Sequence, residues 1–153
     1  FPFLSKSTGN FYIVGGDETF PWGVMATKGQ PSNPRGGFHF LNFTDPDNPK
    51  EDAVYQVPEA GSHNMWVYDD VLMAAFYQGG LRVVDISGEL LGDIYNQGRE
   101  IAVYQSSHKE GKIPNAPMVW GAQPYKDYIF FADMNSGLYC IRLEDLEKGS
   151  GAP

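Results

Sequence analysis

The sequence predicts an all-β protein made of repeated units of four short antiparallel strands, and three observations predict it. First, one phrase occurs three times along the 153 residues: Gly36-Gly37-Phe38-His39-Phe40-Leu41-Asn42-Phe43-Thr44, Gly79-Gly80-Leu81-Arg82-Val83-Val84-Asp85-Ile86-Ser87 and Ser136-Gly137-Leu138-Tyr139-Cys140-Ile141-Arg142-Leu143-Glu144. Stacked in columns, the copies give small, Gly, apolar, variable, apolar, apolar, polar, apolar, polar. Gly37, Gly80 and Gly137 lie 43 and 57 residues apart, the range of blade-sized repeats rather than of helical solenoids of about 34 residues. Second, apolar residues come in short runs, and only the acidic turn Leu143 to Leu146 carries helical spacing. Third, 18 glycines and 11 prolines demand many turns, while 14% aromatic and only 20% charged residues leave ample surface to bury, which excludes a disordered chain.

Residues 1–9, beginning Phe1-Pro2-Phe3-Leu4, are an N-terminal extension ahead of the repeat region, 10–147. Asn10-Phe11-Tyr12-Ile13-Val14 is the first apolar run. It is separated from its glycine phrase by an insertion at 19–35, which is long for a hairpin connection and therefore a candidate for function. Asp45-Pro46-Asp47-Asn48-Pro49-Lys50 is a turn. Ala53-Val54-Tyr55-Gln56-Val57 and Ile101-Ala102-Val103-Tyr104-Gln105 are strand candidates that share an Ala-Val-Tyr-Gln string. Met65-Trp66 and Val119-Trp120 head the second and third copies. Asp70 to Phe76 precedes Gly79-Gly80, and Asp127 to Asp133 stands at the same offset before Gly137. An apolar run, a glycine turn and a second run make a β-hairpin. Residues 148–153 are expected to form a flexible C-terminal tail.

Runs that are apolar at successive positions, such as Leu138, Cys140 and Ile141, are predicted to be buried on both faces. A β-propeller blade meets that condition because neighbouring blades sandwich it, whereas a two-sheet sandwich calls for apolar and polar residues in alternation. About four strands in about 45 residues yields about three blades, and closed propellers have four to eight. The sequence therefore predicts a partial, incomplete propeller with raw faces and open edges, so that either the rest of the propeller is missing from this sequence or other protein covers it.

Gly80-Leu81-Arg82-Val83-Val84-Asp85-Ile86-Ser87, with the Asp45-Pro46-Asp47-Asn48-Pro49 turn after the first copy, resembles the LVIVD-repeat family of β-propellers. Ser62-His63-Asn64-Met65-Trp66 and Asp133-Met134-Asn135-Ser136-Gly137-Leu138 resemble stretches of its bacterial members. The likeness spans roughly residues 10 to 145. The sequence departs from the family pattern at Arg142, which stands in the column of Asn42 and Asp85, and at Ser87-Gly88-Glu89, where turn prolines belong. The resemblance implies a scaffold more than a reaction, in a family often exported or attached to the surface, and so a periplasmic or cell-surface setting.

The formal net charge of −8, with no basic cluster, makes nucleic acid and anionic membrane poor partners. No apolar stretch approaches the roughly 18 residues of a membrane span. A single cysteine, Cys140, excludes an internal disulfide and a CxxC site. Polar residues at strand starts and hairpin tips, His63, Asn64, Asp133 and Asn135, are the candidate ligand or interface residues, set against a purely structural use in backbone hydrogen bonding. Within the insertion, Phe20, Trp22 and Met25 are a candidate contact patch. Ser62-His63 and Ser107-His108 are adjacent in sequence, poor geometry for a nucleophile and its base. His39, His63, His108, Asp17 and Glu18 show no zinc spacing, and the Asp45 to Asp52 turn lacks an EF-type glycine, so neither a metal nor a cofactor is expected. Asn42-Phe43-Thr44 matches a glycosylation sequon but sits in a strand, where Asn42 and Asp85 are expected to end the blade by bonding nearby backbone.

The resulting expectation is a non-enzymatic interaction or scaffold protein. It would be a structural accessory subunit whose partners are other protein subunits of an exported or membrane-associated complex, with an electron-transfer or photosynthetic assembly as one example. Two other readings stay open: a ligand-binding or enzymatic propeller using its central funnel, and a calcium-stabilised surface adhesion module.

Overall fold

The computed structural model describes residues 1–18, 36–58 and 60–143. Within them the regular structure is strand throughout: β1 (Pro2–Leu4), β2 (Phe11–Glu18), β3 (Gly36–Asn42), β4 (Lys50–Tyr55), β5 (Met65–Tyr68), β6 (Val71–Phe76), β7 (Gly80–Asp85), β8 (Gly92–Asp93), β9 (Glu100–Tyr104), β10 (Val119–Tyr125), β11 (Tyr128–Asp133) and β12 (Gly137–Arg142). No helix among the described residues is long and apolar enough to cross a membrane.

The strands form three sheets, ordered β1-β2-β3-β4-β8, β5-β6-β7-β9 and β10-β11-β12, and none closes into a barrel. Each is an antiparallel meander, apart from the two-residue β8, which pairs parallel to β4. The result is all-β and partial-propeller-like, with the three glycine phrases opening the third strand of each sheet. Pro2–Leu4, within the segment assigned to an N-terminal extension, is an edge strand, with Phe3 opposite Tyr12.

Local chemistry sets the turns. Between β5 and β6, Asp69 and Asp70 both take positive φ, 54° and 57°, as a two-residue hairpin loop whose twist matches its strands requires. The Asp70 carboxylate then accepts hydrogen bonds from the Lys6 and Ser7 amides at 2.9 and 2.7 Å, fastening residues 5–7 to the second sheet. Burial pushes this carboxyl up, but the bonds from Ser7, Lys6 and Ser5 outweigh burial and hold it below the usual carboxylate range. Asn42 and Asp85 each accept the amide two residues on, from Thr44 at 2.9 Å and Ser87 at 2.8 Å, ending their strands as expected.

Two cores hold the sheets together, and the second sheet supplies both. Leu72, Ala74, Phe76, Val84 and Ile86 pack against Tyr12, Val14, Phe38, Phe40 and Tyr55 of the first sheet. Met73, Ala75, Leu81 and Val83 pack against Val119, Ala122, Ile129 and Phe131 of the third. Successive residues of β6 therefore enter opposite cores, which is why that strand is apolar without alternation. Aromatic rings bridge the layers: Phe38 and Tyr55 meet Phe76 edge-on at 5.2 and 5.5 Å, and Tyr104 meets Phe131 at 5.6 Å. The third copy departs from expectation. Leu138 is 77% exposed and Cys140 is exposed, because no described residue packs over that face of the third sheet.

The repeated glycine has a steric cause. Gly80 has φ 79°, and a Cβ there would lie 2.4 Å from the Tyr104 carbonyl oxygen of the adjoining β9. Gly98 has φ 68°, and a Cβ there would meet no described residue within 4 Å. In urea unfolding, Gly98→Ala should cost about 1 kcal/mol for its left-handed backbone alone. Gly80→Ala should cost about 3 kcal/mol because displaced strand backbone adds to the same strain. Equal losses would show that the approach of β9 is not what requires glycine at Gly80.

Candidate functional site

Three sheets meet at the end of β2. Glu18 bridges Ser62 in parallel and Tyr77 bridges Val119 antiparallel, so segments from all three sheets run side by side. The buried Ser62 hydroxyl donates to the Asp17 carbonyl at 2.7 Å, and the His63 amide donates to the Ala75 carbonyl at 3.0 Å. This places the His63 ring among Glu18, Tyr77 and Trp120.

The hydrogen bonds of the ring assign its tautomer. His63 Nδ1 lies 2.6 Å from the Trp120 carbonyl oxygen, which can only accept, so Nδ1 carries the hydrogen. His63 Nε2 accepts from the Trp120 indole N–H, which can only donate. Both nitrogens are engaged by a neighbouring sheet, and Glu18 Oε1 stands 3.8 Å from Nε2, beyond hydrogen-bond length. The rings of Tyr77 and Trp120 pack edge-on to the imidazole at 5.4 and 5.1 Å. Tyr77 donates its hydroxyl to Glu18 Oε1 at 2.5 Å. Burial first, then the Glu18 carboxylate, push the Tyr77 phenol well above the usual tyrosine range. The cluster is a joint between sheets, in which Trp120 engages both nitrogens of the imidazole.

Asn64 caps its own strand, its side-chain oxygen accepting the Met65 amide at 2.8 Å. The other two candidates lie in a separate network. Asp133, 4% exposed, accepts from the Met118, Asn135 and Ser136 amides at 2.7, 2.7 and 2.9 Å and from the Ser106 hydroxyl. Four donors fill the four lone-pair sites of a carboxylate. Asn135 donates to the Ile113 and Ala116 carbonyls at 2.6 and 2.7 Å and accepts the Ile113 amide at 2.5 Å. Together these two side chains pin the connection before β10 to the β11–β12 turn. The structure thus brings His63 together with Glu18, Tyr77 and Trp120, and Asp133 together with Asn135. Phe20, Trp22 and Met25 lie outside the described residues.

Among the described residues, no group of three His, Cys, Asp or Glu side chains is placed to hold a metal ion. His39 pairs with Glu51 at 2.7 Å, and His108 Nδ1 accepts the Glu110 amide at 3.1 Å. In the acidic turn, Asp45 accepts from the Asn48 side chain at 2.8 Å and the Asp47 amide at 3.1 Å, bonds that hold its carboxyl below the usual range. Asn42 gives its amide group to Asp52 at 2.7 Å, so the sequon side chain is committed inward.

Two features face outward. A cleft of ≈ 390 Å³ lies where Phe1, Asn64 and Trp66 approach Gly121, Phe130 and Leu138. Beside it, the outward face of the third sheet presents Tyr128, Phe130 and Leu138, at 42, 37 and 77% exposure, with Cys140. The repeat lines Leu138 and Cys140 up with Phe38 and Phe40 and with Leu81 and Val83. All four of those are at most 1% exposed. Sequence reasoning missed Glu18 and Tyr77 as neighbours of His63, because they come from segments far apart in the chain and share no spacing. No protein-family model, curated protein or solved structure matches the chain.

The raised phenols give the fold an alkaline limit. Tyr55 is also pushed far up, by burial and then by its bond to Glu100. Both groups stay neutral in the folded chain, so their contribution is full below the ordinary tyrosine value, about 10, and is lost as pH climbs above it. In an alkaline titration these two tyrosines should ionise only as the protein unfolds, and Tyr77→Phe should move that transition to higher pH. Smooth ionisation of every tyrosine in the intact fold would contradict this.

Proposed function

We propose that the chain is a non-enzymatic interaction module, a structural accessory subunit whose third sheet is covered by another protein in a larger assembly. The observation that carries this reading is the repeat column Phe38/Phe40, Leu81/Val83, Leu138/Cys140. The first pair is buried by the second sheet and the second pair by the third, while the third pair faces outward. Phe130, in the column of Met73, faces the same way. Apolar residues that their own repeat buries twice and leaves open once make a surface for protein rather than for water.

The polar candidates support the same reading. His63, Asp133 and Asn135 spend their hydrogen-bonding capacity on inter-sheet and turn contacts, and a catalytic role calls for a group free to meet a substrate. The residues resembling LVIVD repeats, Gly80 to Ser87 above all, favour an exported scaffold, periplasmic or at the cell surface, with a membrane-associated complex as its setting.

The 153-residue chain alone should self-associate through the open face. Size-exclusion chromatography with light scattering should show mass rising with concentration. The double variant Phe130→Lys with Leu138→Lys should remain monomeric with its melting temperature nearly unchanged, since both side chains are partly or largely exposed. A stable, compact wild-type monomer at every concentration would overturn the need for a covering partner.

A further inference from the structure

The third sheet differs from the other two at its edge as well as on its face. In the first sheet, β4 pairs with β3 through Phe38 opposite Tyr55, His39 opposite Val54 and Phe40 opposite Ala53, and the register then shifts at a bulge. In the second, β9 pairs with β7 through Leu81 opposite Tyr104, Arg82 opposite Val103 and Val83 opposite Ala102, with a shift at the same place. The same Ala-Val-Tyr string thus occupies the same register twice. Among the described residues nothing pairs with the corresponding edge of β12, where Leu138, Tyr139 and Cys140 fill those columns.

The glycine column gives an independent sign of the same occupant. A Cβ on Gly37 would lie 2.4 Å from Gln56 Cγ and 2.9 Å from the Tyr55 oxygen, and one on Gly80 would lie 2.4 Å from the Tyr104 oxygen and 3.1 Å from Gln105 Oε1. A Cβ on Gly137 would have no described residue within 4 Å. The third glycine keeps clear a space that a Tyr-Gln segment fills in the other two sheets. The edge is also unguarded. β1 is three residues long and contains Pro2, and β10 contains Pro124 and a bulge, devices that discourage strand addition. β12, Gly-Leu-Tyr-Cys-Ile-Arg, has neither proline nor bulge and no charge before its last residue.

Resting on the interaction reading above, we propose that β12 receives an extended segment of the partner polypeptide as a fourth antiparallel strand. That segment sets a small residue, Val and Tyr opposite Cys140, Tyr139 and Leu138, and follows them with a polar residue beside Gly137. Main-chain hydrogen bonds supply the affinity and the alternate side chains supply the register.

Cys140, the single cysteine of the chain, makes the register measurable. The probe is a synthetic peptide of residues 100–106 bearing Ala102→Cys, its thiol activated as a mixed disulfide. In the proposed register this cysteine lies opposite Cys140, whose thiolate displaces the leaving thiol and links the two. Loss of the free Cys140 thiol should be rapid with that peptide. It should be slow with a Val103→Cys peptide, whose cysteine faces Tyr139 on the other side of the sheet, and with a scrambled sequence.

Equal linkage by all three would overturn the register. Absence of linkage, while a small alkylating reagent still modifies Cys140, would overturn strand addition. If the Phe130→Lys with Leu138→Lys variant, its face no longer apolar, still formed dimers with Cys140 closed to the small reagent, the edge would belong to a second copy and a partner's strand would be overturned. If linkage fails while Phe130→Lys with Leu138→Lys still abolishes self-association, the covered face stands and only the strand falls.

Discussion

The constraint on which the rest of the structure depends is that a sheet apolar on both faces must be covered twice. The second sheet satisfies it fully: Leu72, Ala74 and Phe76 enter one core, and Met73 and Ala75 enter the other, from a single strand. A layer of this kind cannot exist alone in water, because each buried aliphatic or aromatic side chain stabilises the fold by about 1.5–3 kcal/mol only while a neighbour keeps it dry. The chain therefore grows as a stack, each meander closing the face of the one before. The third sheet inherits the same demand, and among the described residues nothing meets it.

Polar chemistry in this molecule serves the stack. Glu18, Ser62, His63, Tyr77 and Trp120 tie three sheets at one joint, and Tyr55, Glu100 and Arg82 tie the first two elsewhere, with Arg82 Nη1 2.9 Å from Glu100 Oε1. Such groups are costly to bury unless fully partnered. Their mutual hydrogen bonds use polar side chains to join one sheet to the next. Asp133 shows the same economy: one carboxylate orders a turn and a long connection at once.

Much of this was legible in the sequence because repeats carry their structure in columns. The glycines, the paired runs Asp70 to Phe76 and Asp127 to Asp133, and the Ala-Val-Tyr-Gln strings lie where the strands and their turns are. Blade-ending Asn42 and Asp85 followed from short side chains that reach backbone two residues on. What stayed hidden depends on contacts between distant segments. Nothing in Phe1-Pro2-Phe3-Leu4 announces a strand, since three residues carry too little periodicity and pairing with Phe11 to Ile13 is a tertiary choice. The surroundings of His63 come from three sheets, so no spacing encodes them. Leu138 and Cys140 have the composition of buried residues, and composition alone does not say whether a neighbour is there to bury them.

Amide hydrogen exchange along the third strand of each sheet tests most directly the claim that each sheet is completed by the next. In the isolated chain, the β3 and β7 amides, paired on both sides, should exchange only through large-scale unfolding, whereas alternate amides of β12 should exchange at rates near those of free peptide. Uniform slow exchange through β12, equal to that of β7, would mean that its edge is already satisfied, and would contradict the account of an open third sheet.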